Sequence, residues 1–206
     1  MAHEDVPIKD GVIDGEVVSH GPGGEVRQRA PFHQGRLDGE VTTYDEEGRI
    51  ADTAQYKDGV LEGEMKAYQD GKLRLHAHYV QGRQQGETRL YDAAGNLSGV
   101  TRYHAGKLEG VSEWFDPAGH RVRSALYKGG ALAGESVDYF PSGKARQIAM
   151  YENNQLQGET RTFAEDGKLL QKVYYVNGKL AEPTQQGARP AARPARPAPA
   201  APSWRR

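Results

Sequence analysis

Residues 32–59 read FHQGRLDGEVTTYDEEGRIADTAQYKDG, and the order of residues in this stretch recurs along the chain. An aromatic residue, Phe32, is followed by Gly35, then Leu37, then the pair Gly39 and Glu40; a second aromatic, Tyr44, precedes a polar cluster ending at Gly48. The order restarts at Tyr56 with Gly59, Leu61, Gly63, Glu64 and Tyr68. Further starts fall at Tyr79, Tyr103, Tyr127 and Tyr151, with a half-unit at Tyr175. A degenerate first unit begins at Ile8 and carries Gly11, Ile13, Gly15, Glu16, His20 and Gly24. The step between starts is 24 residues everywhere except from Tyr56 to Tyr79, where it is 23. Self-similarity held at a fixed period identifies a repeat architecture.

Each unit divides into two short strand segments and two turns. One turn is a polar cluster closed by Gly48, Gly95, Gly119, Gly143 or Gly167; the other closes at Gly59, Gly82, Gly106, Gly130 or Gly178. Polar residues followed by Gly suit a three-residue hairpin loop, in which Gly takes the left-handed conformation at little steric cost. The intervening segments, such as GEVTTY and VSEWF, are too short for helices and rich in Thr, Val and aromatics. The expected fold is therefore all-β, an elongated single-layer antiparallel β-meander. A three-residue loop would pair Tyr44 with Ile50, put Tyr44 and Tyr56 on one face, and turn Leu61 to the other. A slip of one residue would invert every such assignment.

Composition agrees with this reading. The 206 residues include 26 Gly, no Cys, and only 36% hydrophobic residues. That is too little to fill a two-layered core, while 11 Tyr argue against a disordered chain. The expected organisation is a lead-in at 1–7, a repeat domain at 8–182, and a disordered Pro/Ala/Arg-rich tail at 183–206. From residue 181 onward the chain carries five Arg and one Glu, so the remainder is acidic although the overall net charge is -1. No apolar run approaches membrane-spanning length and no leader-like segment is evident, so a cytoplasmic location is expected. Pro183 and the degenerate first unit read as caps on the two open sheet edges.

Chemistry-bearing constellations are scarce. His76 and His78 share a strand face without a third metal ligand, and read as solvated histidines. Glu40, Glu64, Glu87, Glu135 and Glu159 recur because the unit recurs, so they report architecture rather than acid–base roles. No phosphate-cradling or nucleophile motif is present. The expectation is no catalytic residue, no metal and no cofactor. The acidic body argues against specific nucleic-acid binding, while the Arg-rich tail allows weak contact with anionic surfaces. A protein partner fits better. Toward the C-terminus the face opposite the aromatic ladder gains Trp114, Leu126, Ile148, Met150 and Tyr174, where earlier units carry Thr43, Thr53 and Gln55. An apolar patch on a single-layered sheet suits protein binding.

The unit YxxGxLxGExxxYxxxG resembles the bacterial variant of the MORN repeat (membrane occupation and recognition nexus) over residues 8–180, with Gln84, Val111 and Asn154 departing from its Leu, Glu and Gly. The resemblance implies an elongated antiparallel sheet with a groove. It further implies an antitoxin or immunity protein that neutralises a cognate toxin or secreted effector by direct binding. The alternatives are a scaffold or membrane-surface adaptor, or an accessory that positions an enzyme.

Overall fold

The computed structural model describes residues 3–181, and among them every regular element is a strand. The expected disordered tail lies outside the described residues. Strands follow one another as an antiparallel meander running from Gly15–His20 and Val26–His33 through Gly39–Tyr44, Ile50–Lys57 and Val60–Gln69 to Leu169–Val176 and Lys179–Leu180. His3–Asp5 adds an antiparallel strand on the free side of Gly15–His20. Between these two, Ile8–Lys9 and Val12–Ile13 form a small hairpin of their own.

The two turns of the unit differ. Tyr56 pairs with Leu61 and Lys57 with Val60, which leaves Asp58 and Gly59 as a two-residue loop. Both carry positive φ, 48° and 82°. That is the primed turn whose twist matches the flanking strands, not the three-residue loop expected here. The other turn is the expected kind: Gly48 N–H donates to the Asp45 carbonyl at 3.1 Å and Asp45 N–H to the Arg49 carbonyl at 2.8 Å. Its Gly48 has φ 76°.

Tyr44 does pair with Ile50, yet the face assignments drawn from that pairing do not hold. Thr43 pairs with Asp52, so Ala51 has no partner, and this one extra residue inverts the alternation along the returning strand. The same shift recurs between Leu90 and Tyr91, Trp114 and Phe115, Asp138 and Tyr139, and Thr162 and Phe163. Tyr56 lies two residues beyond Ala54, which pairs with Val41, whereas Tyr44 lies three beyond Val41 in one strand. The two aromatic ladders therefore occupy opposite faces. Leu61, directly across from Tyr56, joins the first ladder and not the face expected of it.

The face of Tyr56 and Leu61 holds the core. Its central row is small: Val17, Ala30, Val41, Ala54, Ala77, Thr88, Thr101, Ser112, Ala125, Ser136, Ala149 and Thr160 are all buried. Among the described residues no second layer covers them. The aromatic and leucine rows on one side and a row containing Leu75, Leu90 and Trp114 on the other shield them instead. At the N-terminal end this face opens into a depression of about 280 Å³ lined by Ile13, Val17, Phe32, Leu37, Val41 and Tyr56 among others.

Neighbouring units are tied together at the primed turns. The amide of Gly59 donates to Leu37, Gly82 to Leu61, Gly106 to Gln84, Gly130 to Leu108 and Gly178 to Leu156, all at 2.8–2.9 Å. Side chains reinforce the row: Glu62 accepts the Gln81 amide at 2.6 Å, Gln85 that of Ala105 at 2.9 Å, Glu109 that of Gly129 at 2.7 Å and Gln157 that of Asn177 at 2.8 Å. Ala133 occupies the corresponding position in its unit and offers no acceptor. There Asn154, the departure from Gly, supplies the compensation: its Oδ1 accepts the Leu132 amide at 2.8 Å and its own amide donates back to the Leu132 carbonyl at 3.0 Å. Each such bond contributes on the order of 1 kcal/mol, and each joins only adjacent units, as expected of a quasi-one-dimensional protein.

Candidate partner-binding surface

The face bearing Tyr44 and its equivalents carries a second recurring pair, placed directly across from one another: Glu16 with Pro31, Glu40 with Gln55, Glu64 with His78 and Glu87 with Arg102. Apart from Pro31 the residues of these early pairs are polar, and the glutamates find partners nearby. Gln55 donates to Glu40 at 2.8 Å and Arg29 to Glu16 at 2.7 Å. Hydrogen bonding from Lys66 holds the Glu64 carboxyl below its ordinary range. Glu16, Glu40, Glu64 and Glu87 thus contact side chains of the neighbouring strand, which suits an architectural role.

Toward the C-terminus the same positions turn apolar. Val111 stands across from Leu126, Glu135 from Met150 and Glu159 from Tyr174. In the adjacent row Val137 stands across from Ile148. Val111, Leu126, Met150 and Tyr174 remain 41, 38, 38 and 49% exposed. Tyr139 adjoins this area and is anchored, with its hydroxyl 2.9 Å from Ser124 Oγ and the Arg121 guanidinium 4.4 Å above its ring. Two carboxylates sit among the apolar groups. Glu159 accepts from the Tyr174 hydroxyl at 2.7 Å and pairs with Lys172 at 2.7 Å, and these contacts, Lys172 first, depress its pKa. Glu135 makes no ion pair among the described residues.

Leu126, Ile148, Met150 and Tyr174 are therefore brought onto one face, together with Val111 and Val137, which the sequence reading left out. The signal for Val111 was available, because it replaces a glutamate of the unit. This face is the one carrying the second aromatic ladder, not one free of aromatics. Trp114 does not belong to it. Its side chain lies on the groove face, with its ring 6.5 Å from that of Tyr127 and across from Gly99. A Cβ at Gly99 would meet both Leu90 and Trp114 at 3.4 Å, so the two large side chains close over this glycine at van der Waals distance. Thr43 occupies the Trp114 position in its own unit and is likewise on the groove face, hydrogen-bonded to Asp52. His76 lies 3.4 Å from Glu64, and His78 is exposed.

Residues 37–58 and 156–181 match the family described as "MORN repeat variant". These two segments are similar to MORN repeats. Both matches start at the leucine that follows a primed turn, Leu37 or Leu156, so the MORN unit spans the strand pair between two such turns. No curated protein sequence matches the chain. A solved structure described as "Crystal structure of GtfA/B complex bound to UDP and GlcNAc" is similar at 18% identity and a TM-score of 0.21, over 60% of this chain and 25% of that one. The chain thus spans about a quarter of that structure's length. Among the described residues no helix is long and apolar enough to cross a membrane.

Proposed function

We propose that this MORN-repeat chain is a non-catalytic binding module whose C-terminal units dock a protein partner. The partner best suited to it is a cognate toxin or secreted effector that the chain neutralises as an antitoxin or immunity protein. One observation carries the reading: Val111, Leu126, Met150 and Tyr174 are exposed on one face at positions that, Pro31 apart, are charged or polar in the earlier units. Exposed apolar side chains interleaved with Glu135 and Glu159 suit a partner presenting apolar anchors beside basic groups.

The test is capture from the native host by tagged protein, full-length, truncated after residue 182, and carrying Leu126→Ser with Met150→Ser. The reading expects one stoichiometric partner, toxic when expressed alone, recovered by the first two proteins and lost with the double substitution. Recovery of membranes or nucleic acid by the full-length protein alone would overturn it and assign the interaction to the Arg-rich tail.

A further inference from the structure

His20 breaks a pattern. It occupies the position of the second aromatic, which is Tyr44, Tyr68, Tyr91, Phe115, Tyr139 and Phe163 in the later units. It also lies where the lead-in strand joins the sheet: His3 pairs directly with His20, and Asp5 with Val18. Residues alternate along a strand, so His3 and Asp5 share the face that carries His20. The two imidazoles are parallel, with centroids 4.3 Å apart and planes within 1°, so the exposed His3 ring must turn about its side-chain bonds before both in-plane lone pairs reach one ion. One ligand atom from each of His3, Asp5 and His20 lies within 4.8 Å of the others.

A second observation concerns His20. Its Nδ1 is buried and finds no hydrogen-bond partner among the described residues. Its nearest acidic neighbour, Oδ2 of Asp5, is 3.8 Å away. That is too long for a hydrogen bond. It is close to the separation of two atoms ligating one small divalent ion, each about 2.0–2.2 Å from it. The side chain of Asp5 is 67% exposed and that of His20 only 14%, so solvent reaches one side of the group and protein closes the other. Buried polar atoms are normally satisfied, and this one has two further ligand atoms beside it.

From this arrangement we infer that His3, Asp5 and His20 form a binding site for a first-row divalent cation, zinc being the ion best matched to two imidazoles and a carboxylate. Water completes the coordination on the open side. The ion joins the edge strand to the body of the sheet, so its binding stabilises the N-terminal cap of the repeat array. Such binding raises Tm with cation concentration, because the ligands come together only in the folded state.

The experiment uses the full-length protein without an affinity tag. Zinc is titrated calorimetrically, Tm is followed against zinc concentration, and cobalt is added as a visible-absorption probe. Wild type should bind one equivalent of zinc, gain Tm, and give cobalt ligand-field bands. His3→Ala and His20→Tyr should each weaken binding by about tenfold or more, and should abolish both the Tm gain and the bands. His20→Tyr restores the residue type of the other units, so its metal-free Tm should match or exceed that of wild type, which separates lost ligation from lost folding. His76→Ala with His78→Ala should bind as wild type does. The inference is overturned if wild type shows no saturable zinc binding, or if His20→Tyr binds with undiminished affinity.

Discussion

Leu61 stands directly across the sheet from Tyr56, and its carbonyl accepts the amide of Gly82 from the following unit at 2.9 Å. One residue thus contributes to the face that holds the core and to the bond joining adjacent units. The face of Leu126 has no such second role, and that contrast yields a first prediction.

Leu61→Ala should cost about 1–2 kcal/mol, the value for a side chain that is largely but not wholly removed from water. Met150→Ala, on the more exposed face, should cost less than about 1 kcal/mol. Urea midpoints of the two variants against wild type decide the matter. Equal losses would mean that both faces contribute equally to stability.

The bonds made by Asn154 predict an ordered pair of outcomes. Asn154→Gly removes the side-chain acceptor for Leu132 but relaxes the backbone at φ 66°, so the two effects offset to within about 1 kcal/mol. Asn154→Ala loses the acceptor and keeps the strained conformation, and should be less stable than wild type by about 1–2 kcal/mol. Thermal unfolding of the three proteins would show whether Ala ranks below Gly.

Gly134 and Gly99 should respond differently to alanine. Gly134 has φ 115°, and a Cβ there would come within 2.8 Å of Leu126 Cδ2. Gly134→Ala should therefore cost more than about 1 kcal/mol and displace Leu126. Gly99 lies outside the left-handed region and an added Cβ makes only close van der Waals contacts, so Gly99→Ala should change stability by less than about 1 kcal/mol. Differential scanning calorimetry separates the two.

Acid should weaken the turns. Asp92 Oδ1 accepts the amides of Asn96 at 2.9 Å and Ala94 at 2.8 Å, and Asp116 Oδ1 accepts those of His120 and Ala118, both at 2.9 Å. These bonds, those from Asn96 and His120 foremost, lower both pKa values in the folded protein. A carboxyl whose folded pKa lies below its unfolded value, about 3.9, contributes stability that is fully present above that value. The contribution is lost as pH falls through the folded pKa. Replacing both residues by Asn keeps an acceptor and removes the charge, so stability between about pH 5 and pH 2 should fall less steeply than in wild type. Parallel pH profiles of the two proteins would overturn the assignment.

Much of this molecule is legible in its sequence. The period, the positions of both turns, the all-β class and the pairing of Tyr44 with Ile50 follow from where Gly and the aromatics stand, because positive φ and strand alternation are local demands. So is the apolar character of Leu126, Ile148, Met150 and Tyr174. What escapes is the face. Facing depends on counting residues between turns, and the unpartnered Ala51 adds one to the count without leaving a mark in composition. That residue sends Tyr44 and Tyr56 to opposite sides, and the two-residue turn at Asp58 and Gly59 brings Leu61 back beside Tyr56. The same ambiguity put Trp114 with the wrong neighbours.

The cluster of His3, Asp5 and His20 was hidden for a different reason. It exists only because the lead-in strand folds back against Gly15–His20, and no spacing within the repeat announces that pairing. The amino-acid order alone determined that this chain stacks units into one antiparallel sheet. Tertiary structure decided which side chains those units present together, since that depends on bulges and on an edge pairing set by hydrogen bonds between strands.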